Sequence, residues 1–255
     1  MFPFKRMLSI ITLFTFLASP ALADEIFSLK AGYITLNPSG DVALSANGLT
    51  GTSIDIDDDL GIDDGDDFFG EAALQLGDFR LFAAYLPIDL SGNNVLTRDI
   101  NFNGEIFPAG SHVKSDLDID IYEAGLAWFL VNLDDVPVRI QFGPEVAVKY
   151  VDASVKLHDG TSGLSESESF GVPVPTVGAR ARVAVADYLG VVGRVGYMEY
   201  DSNSFLDVDV QVEFSPLPMV GLFGGYRYLD IDVDDSDLLI DATFSGPYVG
   251  ALVRF

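Results

Sequence analysis

The sequence predicts an all-β fold: a single antiparallel up-and-down β-barrel of about ten strands (eight to twelve) that spans a membrane. Three observations predict it. Apolar and polar residues alternate with a period of two through most of the chain, the signature of strands with one greasy face. The connections between those strands alternate long and short along the first three hairpins. The last strand ends on an aromatic. Counted back in twos, Phe255, Val253, Ala251, Val249 and Pro247 are apolar, while Arg254, Leu252, Gly250, Tyr248 and Gly246 share the other parity. A strand closing a barrel in a bilayer turns its outer row to lipid and sets its last aromatic at the interface. An edge strand of a soluble sandwich would leave that aromatic in water.

Composition narrows the function classes. The 255 residues have room for one large all-β domain or two small ones. Lys plus Arg number 14 against 39 Asp plus Glu, a formal net charge of −25. Nucleic acid is excluded as a partner, because binding it needs a cationic face, and a polybasic membrane-surface anchor is excluded on the same ground. There is no cysteine. Disulfides, thiolate metal sites, cysteine nucleophiles and a lipoprotein-type acylation are therefore excluded.

The N-terminus reads as an export signal. Lys5 and Arg6 form a positive n-region, Met7 to Ala18 an apolar h-region, and Ala21-Leu22-Ala23 offers small residues before Asp24. Cleavage is expected after Ala23, so that 1–23 is a leader and 24–255 the barrel domain. The apolar run is shorter than the roughly 20 residues of a spanning helix. A mature chain in a membrane must then close as a barrel, since lipid satisfies no backbone hydrogen bonds.

Taken in order, the first strand covers Glu25 to Leu36, with Phe27, Leu29, Ala31 and Tyr33 on one face and Ser28, Lys30 and Gly32 on the other. A polar connection from Asn37 to Asp67 follows. Phe68 to Leu76 and Phe79 to Leu90 form a hairpin around Gly77-Asp78. The connection from Ser91 to His112 carries Asn103-Gly104 at its centre, a hairpin signal that predicts an extended ribbon. In the strand Ser115 to Phe129 the apolar parity slips. Leu117, Ile119 and Ile121 share one row, Tyr122, Ala124, Leu126 and Trp128 the other. The slip predicts either a bulge near Ile121 or a strand whose upper part has left the bilayer. Asn132 to Val136 is a turn, Pro137 to Val151 a clean strand, and Lys156 to Glu168 a Gly/Ser-rich loop. Strands then run through Val177–Val185, Gly190–Tyr200, Leu206–Phe214, Met219–Asp232 and Leu238–Phe255. An even strand number with long loops at one end puts both chain termini on the periplasmic side.

The terminal strand resembles the closing strand of bacterial outer-membrane barrels, whose final Phe, here Phe255, is read by the outer-membrane assembly machinery. The mature chain as a whole resembles a family of small proteobacterial outer-membrane β-barrel proteins of uncharacterised function. The resemblance lies in Gly51-Thr52-Ser53-Ile54-Asp55-Ile56-Asp57-Asp58-Asp59-Leu60-Gly61, in Ile100 to Val113, in Gly224-Gly225-Tyr226-Arg227-Tyr228-Leu229 and in Ser245-Gly246-Pro247-Tyr248-Val249-Gly250. It implies the fold and an outer-membrane location, and no activity.

Three constellations are candidates for function. The first is the acidic stretch from Asp55 to Asp67. Asp55, Asp57, Asp59 and Asp63 have the oxygen chemistry that calcium takes. The glycine comes one place late for an EF-hand and no Glu closes the loop, so the bland expectation is a solvated, self-repelling external loop. Cations bridging these carboxylates to lipopolysaccharide phosphates are a looser role. The second is the inward polar row: Glu71, Arg80, Arg139, Glu145, Lys149, Arg180, Arg182, Arg194, Asp207, Asp209, Glu213, Arg227 and Arg254. Mixed signs in a narrow lumen favour salt-bridged filling over a permeation path, because an unpaired buried charge costs several kcal/mol and small barrels have little free bore. The third is the pair of histidines. His112 and His158 are the only ones. A rim hydrolase like the omptin proteases would draw on such a residue, yet there is no Asp-x-His arrangement and no Gly-x-Ser-x-Gly elbow.

The expectation is thus a monomeric, non-enzymatic structural or interaction barrel in outer-membrane lipid and lipopolysaccharide. Its loops are acidic and its lumen is filled with charge. It needs no cofactor beyond the calcium considered above. A narrow porin-like channel is the first alternative and a rim hydrolase the second.

Overall fold

The computed structural model describes residues 26–46, 50–133, 138–160, 162–186, 188–217, 219–234 and 238–255. The expected leader, 1–23, lies outside them. Ten long strands form the wall: β1 Phe27–Leu44, β2 Gly65–Leu76, β3 Phe79–Val95, β4 His112–Trp128, β5 Arg139–Asp159, β6 Ser165–Ala186, β7 Leu189–Tyr200, β8 Asn203–Leu217, β9 Val220–Asp234 and β10 Leu238–Arg254. Each pairs antiparallel with its sequence neighbour, and β10 returns to β1 in the register Ala31↔Ala251, so the sheet closes as a ten-stranded barrel. Backbone bonds tie the seam. Phe255 O accepts from Ile26 N at 2.9 Å, and Phe255 N donates to Phe27 O at 2.8 Å.

The strands run higher than the sequence reading placed them. β1 continues to Leu44, β3 to Val95, and the expected loop from Lys156 to Glu168 is mostly a hairpin, paired from Lys156↔Ser167 to His158↔Ser165. These Gly-, Ser- and Asp-rich segments lack strand-like composition, but cross-strand pairing on an established ladder overrides local propensity. The Asn103-Gly104 ribbon is present as expected: Ile100–Phe102 pairs with Glu105–Phe107. Asn103 and Gly104 adopt φ of 52° and 81°, the double positive φ of a type I′ turn.

Two aromatic girdles ring the outer surface. Near the upper end stand Tyr33, Phe68, Tyr85, Tyr122, Tyr150, Tyr197 and Tyr226, and near the base Phe27, Phe79, Trp128, Phe142, Tyr188 and Phe214, all exposed. Neighbours within a girdle stack: Tyr85 on Tyr122 at 5.0 Å and Phe79 on Trp128 at 6.0 Å. Six to nine residues separate the girdles, about 20–30 Å along a strand. The outer face between them is apolar, with Leu81, Val146, Val148, Val210 and Val249 exposed. This matches the lipid-facing band of an outer-membrane barrel.

At the upper girdle the barrel inverts its polarity. On β4, Tyr122, Ala124, Leu126 and Trp128 face out below it, while Asp116, Asp118 and Asp120 continue the same outer row above it. The inner row is Glu123, Gly125 and Ala127 below, and Leu117, Ile119 and Ile121 above. The register of β4 against β3 and β5 is unbroken through this change. No bulge therefore lies near Ile121, and the strand has left the apolar band. Above the girdle water wets the outside, so the hydrophobic effect can fill the inside.

Candidate functional site: a lumen in two tiers

The lower tier of the lumen is a network of ion pairs. Asp207, fully buried, is its centre. Its carboxylate accepts from Lys149 Nζ at 2.7 Å, from Arg194 Nη2 at 2.8 Å, and from Arg227 Nε and Nη2 at 3.1 and 2.9 Å. Glu123 reaches the same cations, 2.6 Å from Lys149 and 2.8 Å from Arg194. Around them Arg180 pairs with Glu145, and Arg80 with Glu71 at 3.0 Å. The ring of Phe82 takes Arg180 at 4.9 Å and Arg194 at 5.6 Å. Toward the base Glu213 holds Arg254, Lys30 at 3.0 Å and Arg182 at 3.2 Å. The strands set this spacing. Each supplies one to three charges from its inner row, and antiparallel pairing brings Arg227 opposite Asp209 and beside Asp207.

Most of the inward charges read from the sequence meet here. Arg139 is the exception. It begins β5 at the base and is exposed there, on the same parity as Gln141 and Glu145. Lys30 and Glu123 belong to the network and were not among the candidates. Glu123 lies next to the parity slip on β4, where the sequence pattern leaves the inner row unassigned. Tyr248, an inner residue of the closing strand, donates to Asp209 Oδ1 at 2.5 Å.

The upper tier is apolar and capped. The segment after β1 and the ribbon after β3 fold inward over the barrel. Ile54 pairs with Val42, Ile62 bridges to Gly92, and Thr52 N and Asn103 N donate to Asn101 O and Leu44 O. Ile54, Ile56, Leu60, Ile62, Ile100, Phe102 and Phe107 are all buried in consequence. The acidic stretch is therefore an ordered cap with its isoleucines in and its aspartates out, not a solvated loop. Asp55 organises the turn: its carboxylate accepts from the N–H groups of Asp57 and Asp58 at 3.0 and 2.7 Å. Asp59 pairs with Arg98, which also donates to Ser53 O at 2.7 Å. The hydrogen bond to Asp59 holds the Arg98 pKa above its usual value. Among the calcium candidates, Asp57 and Asp63 are exposed, while Asp55 and Asp59 are engaged in the turn. No group of three or more His, Asp or Glu converges on a common point among the described residues.

Between this cap and the inner faces of β4 to β10 lies a cavity of about 310 Å³. Phe205 lines it, and Lys149 Nζ sits 5.9 Å from the Phe205 ring centroid. Phe205 thus separates the chamber from the charged tier. The two histidines lie elsewhere. His112 and His158 are exposed on the outer face, and Asp159, beside His158, points inward and accepts from Ser111 and Ser162 at 3.0 and 2.7 Å.

No known family model matches the chain, and no curated protein matches its sequence. Solved structures do match its shape. The outer membrane protease OmpT from Escherichia coli aligns with a TM-score of 0.64 at 9% identity, over 93% of this chain and 99% of that one. The fold is that of an outer-membrane β-barrel. The translocator domain of the autotransporter NalP from Neisseria meningitidis aligns with a TM-score of 0.45 at 9% identity, over 98% of this chain and 96% of that one. At such identities the likeness concerns the fold alone.

Proposed function

We propose that the protein is an integral outer-membrane barrel of a Gram-negative bacterium with a closed lumen, a structural or binding barrel at the cell surface and not a channel or an enzyme. The observation that carries this reading is the lower tier. Asp207 and Lys149, 0% and 1% exposed, sit where a permeating ion would pass, each satisfied by partners of opposite charge. An ion crossing here would have to displace buried pairs, and separating one costs about 3–5 kcal/mol. Ten strands enclose little more than the eight-stranded barrels that side chains already fill. The outer-membrane location draws on the apolar band between two girdles, with the leader expected at 1–23 and the proposed reading of Phe255 by the assembly machinery in keeping with it. Outer-membrane lipid and lipopolysaccharide are the partners this location supplies to a monomer.

Planar-bilayer recording tests the reading. The chain is refolded without its leader, and insertion is verified by the faster gel migration of the unboiled protein. A silent membrane is the expected result. Reproducible single-channel steps from pure protein would sink the closed lumen and restore the porin-like alternative.

A further inference from the structure

The chamber above the plug is larger than a packed interior leaves by accident, since native cores hold few voids bigger than a water molecule. Its lining is almost wholly hydrocarbon: Ile119, Val151, Phe170, Val174, Met198 and Phe244 among others. Its volume of about 310 Å³ is at the small end of ligand pockets. It is roughly twice the apolar cavity that takes up benzene, and so suits a ligand of about twelve non-hydrogen atoms.

The wall beside this chamber is incomplete. β6 pairs with β5 up to Ser165↔His158, but its pairing with β7 begins only at Val177↔Tyr197. β7 and β8 turn low, at Asp201 and Ser202, with φ of 49° and 67°. β9 and β10 continue upward, to Asp234↔Leu239. Among the described residues, then, Ser165–Thr176 of β6 has no paired residue on the β7 side, and a notch separates the upper halves of β6 and β9. The notch opens just above the upper girdle, where Tyr200 stands 76% exposed. Its edge residues Glu168 and Phe170 on β6, Asn203 and Ser204 at the turn, and Asp232 and Val233 on β9 also line the cavity.

The mouth is selective by charge. The ionisable groups at its edge are the carboxylates Glu168 and Asp232, and no Lys or Arg lines the cavity. An anionic amphiphile would meet like charge without a cationic partner, which selects against it. We propose that the chamber is a binding site for a compact apolar molecule, neutral or cationic, taken up sideways through the notch at the membrane surface. The proposal rests on the closed-lumen reading, because the plug beneath Phe205 makes the chamber a pocket and not a passage.

The test uses the full mature chain in amphipol and two fluorescent probes of one skeleton. These are neutral 1-aminonaphthalene and anionic 5-amino-1-naphthalenesulfonate. The neutral probe should bind saturably at one site above the empty-amphipol background, and the sulfonate at least about tenfold more weakly. Ala153 on β5 and Ala242 on β10 are buried and line the cavity. Ala153→Trp and Ala242→Trp should each weaken the neutral probe at least about tenfold while keeping the folded gel mobility. Ala153→Leu serves if either tryptophan variant does not fold. Absence of saturable binding, or binding unchanged in folded variants, would overturn the site. Equal affinity for the sulfonate would overturn the charge selection. Single-channel steps with probe binding intact would remove only the plug, whereas a silent bilayer with no probe binding would remove only the chamber.

Discussion

Asp207→Asn is the sharpest perturbation of the plug. The substitution keeps the shape of the side chain and removes its charge. Lys149, Arg194 and Arg227 now share Asp207; Glu123 also reaches Lys149 and Arg194, and Glu145 lies 3.9 Å from Arg194 Nε. Without Asp207, Lys149 is left to Glu123, Arg194 to Glu123 and the more distant Glu145, and Arg227 loses the carboxylate that binds both its Nε and Nη2. Removing one partner of a buried pair costs about 3–5 kcal/mol, most of it the penalty of a charge left without compensation. Urea unfolding in lipid vesicles should therefore show a loss of about 3–5 kcal/mol for Asp207→Asn. Adding Lys149→Met removes one of the surplus cations and should return at least about 1 kcal/mol, a coupling expected of contacting residues. A loss below about 1 kcal/mol, the size of an ordinary surface substitution, with no coupling to Lys149, would refute the reasoning. It would mean that water screens these charges and that the lower lumen is wet.

Two further expectations concern the acidic exterior. Asp89 faces out above the upper girdle, directly across from Asp118; partial loss of hydration, then the carboxylates of Asp67, Asp118 and Asp120, raise its pKa. A raised carboxyl pKa means that the folded state holds the proton more tightly than the unfolded chain, so stability is gained as pH falls through the folded value. Asp89→Asn should accordingly raise the melting temperature at neutral pH, with the gain shrinking toward about pH 4; a fall in melting temperature at neutral pH would contradict this. Calcium at about 1 mM, the working range of extracellular calcium modules, should leave the melting temperature unchanged, because Asp55 and Asp59 already serve backbone N–H groups and Arg98. A calcium-dependent rise that disappears in Asp57→Asn/Asp63→Asn would establish those carboxylates as ligands.

The outer band, the closing strand and the Asn103-Gly104 ribbon were legible because each depends on a local pattern. Val249 and Ala251 face out and Arg254 faces in, against Glu213, as period two requires. The upper tier was not legible. Alternation states which residues share a face and leaves open which face is inside. Where the solvent outside changes from lipid to water, the same inner row changes from Glu123 to Ile121, and the pattern imitates a slipped register. The cap was hidden for a related reason. Thirteen residues from Asp55 to Asp67 look solvated by composition, yet Ile54, Ile56, Leu60 and Ile62 interleave with the aspartates at even spacing and are buried. That spacing was the available signal. Which cavity the isoleucines would close depends on a ribbon some 40 residues further along, at Ile100 to Phe107, and no local pattern carries it.

The two tiers also reject different things. An ion entering from outside must first lose water in a chamber lined by hydrocarbon, where burial of an unpaired charge is heavily penalised. An apolar molecule crosses that chamber freely and then meets Phe205, with Lys149 and the Asp207 network directly beneath. It offers none of the hydrogen bonds those groups would give up, and leaving them unpaired costs more than its own burial returns. Stacking an apolar tier on an ion-paired tier therefore excludes both classes of solute by opposite physics. The place where an apolar molecule stops is the chamber itself. On this reading the polarity inversion is what turns a barrel wall into a receptacle: the same alternating strands, wetted differently outside, build a floor below the girdle and a pocket above it.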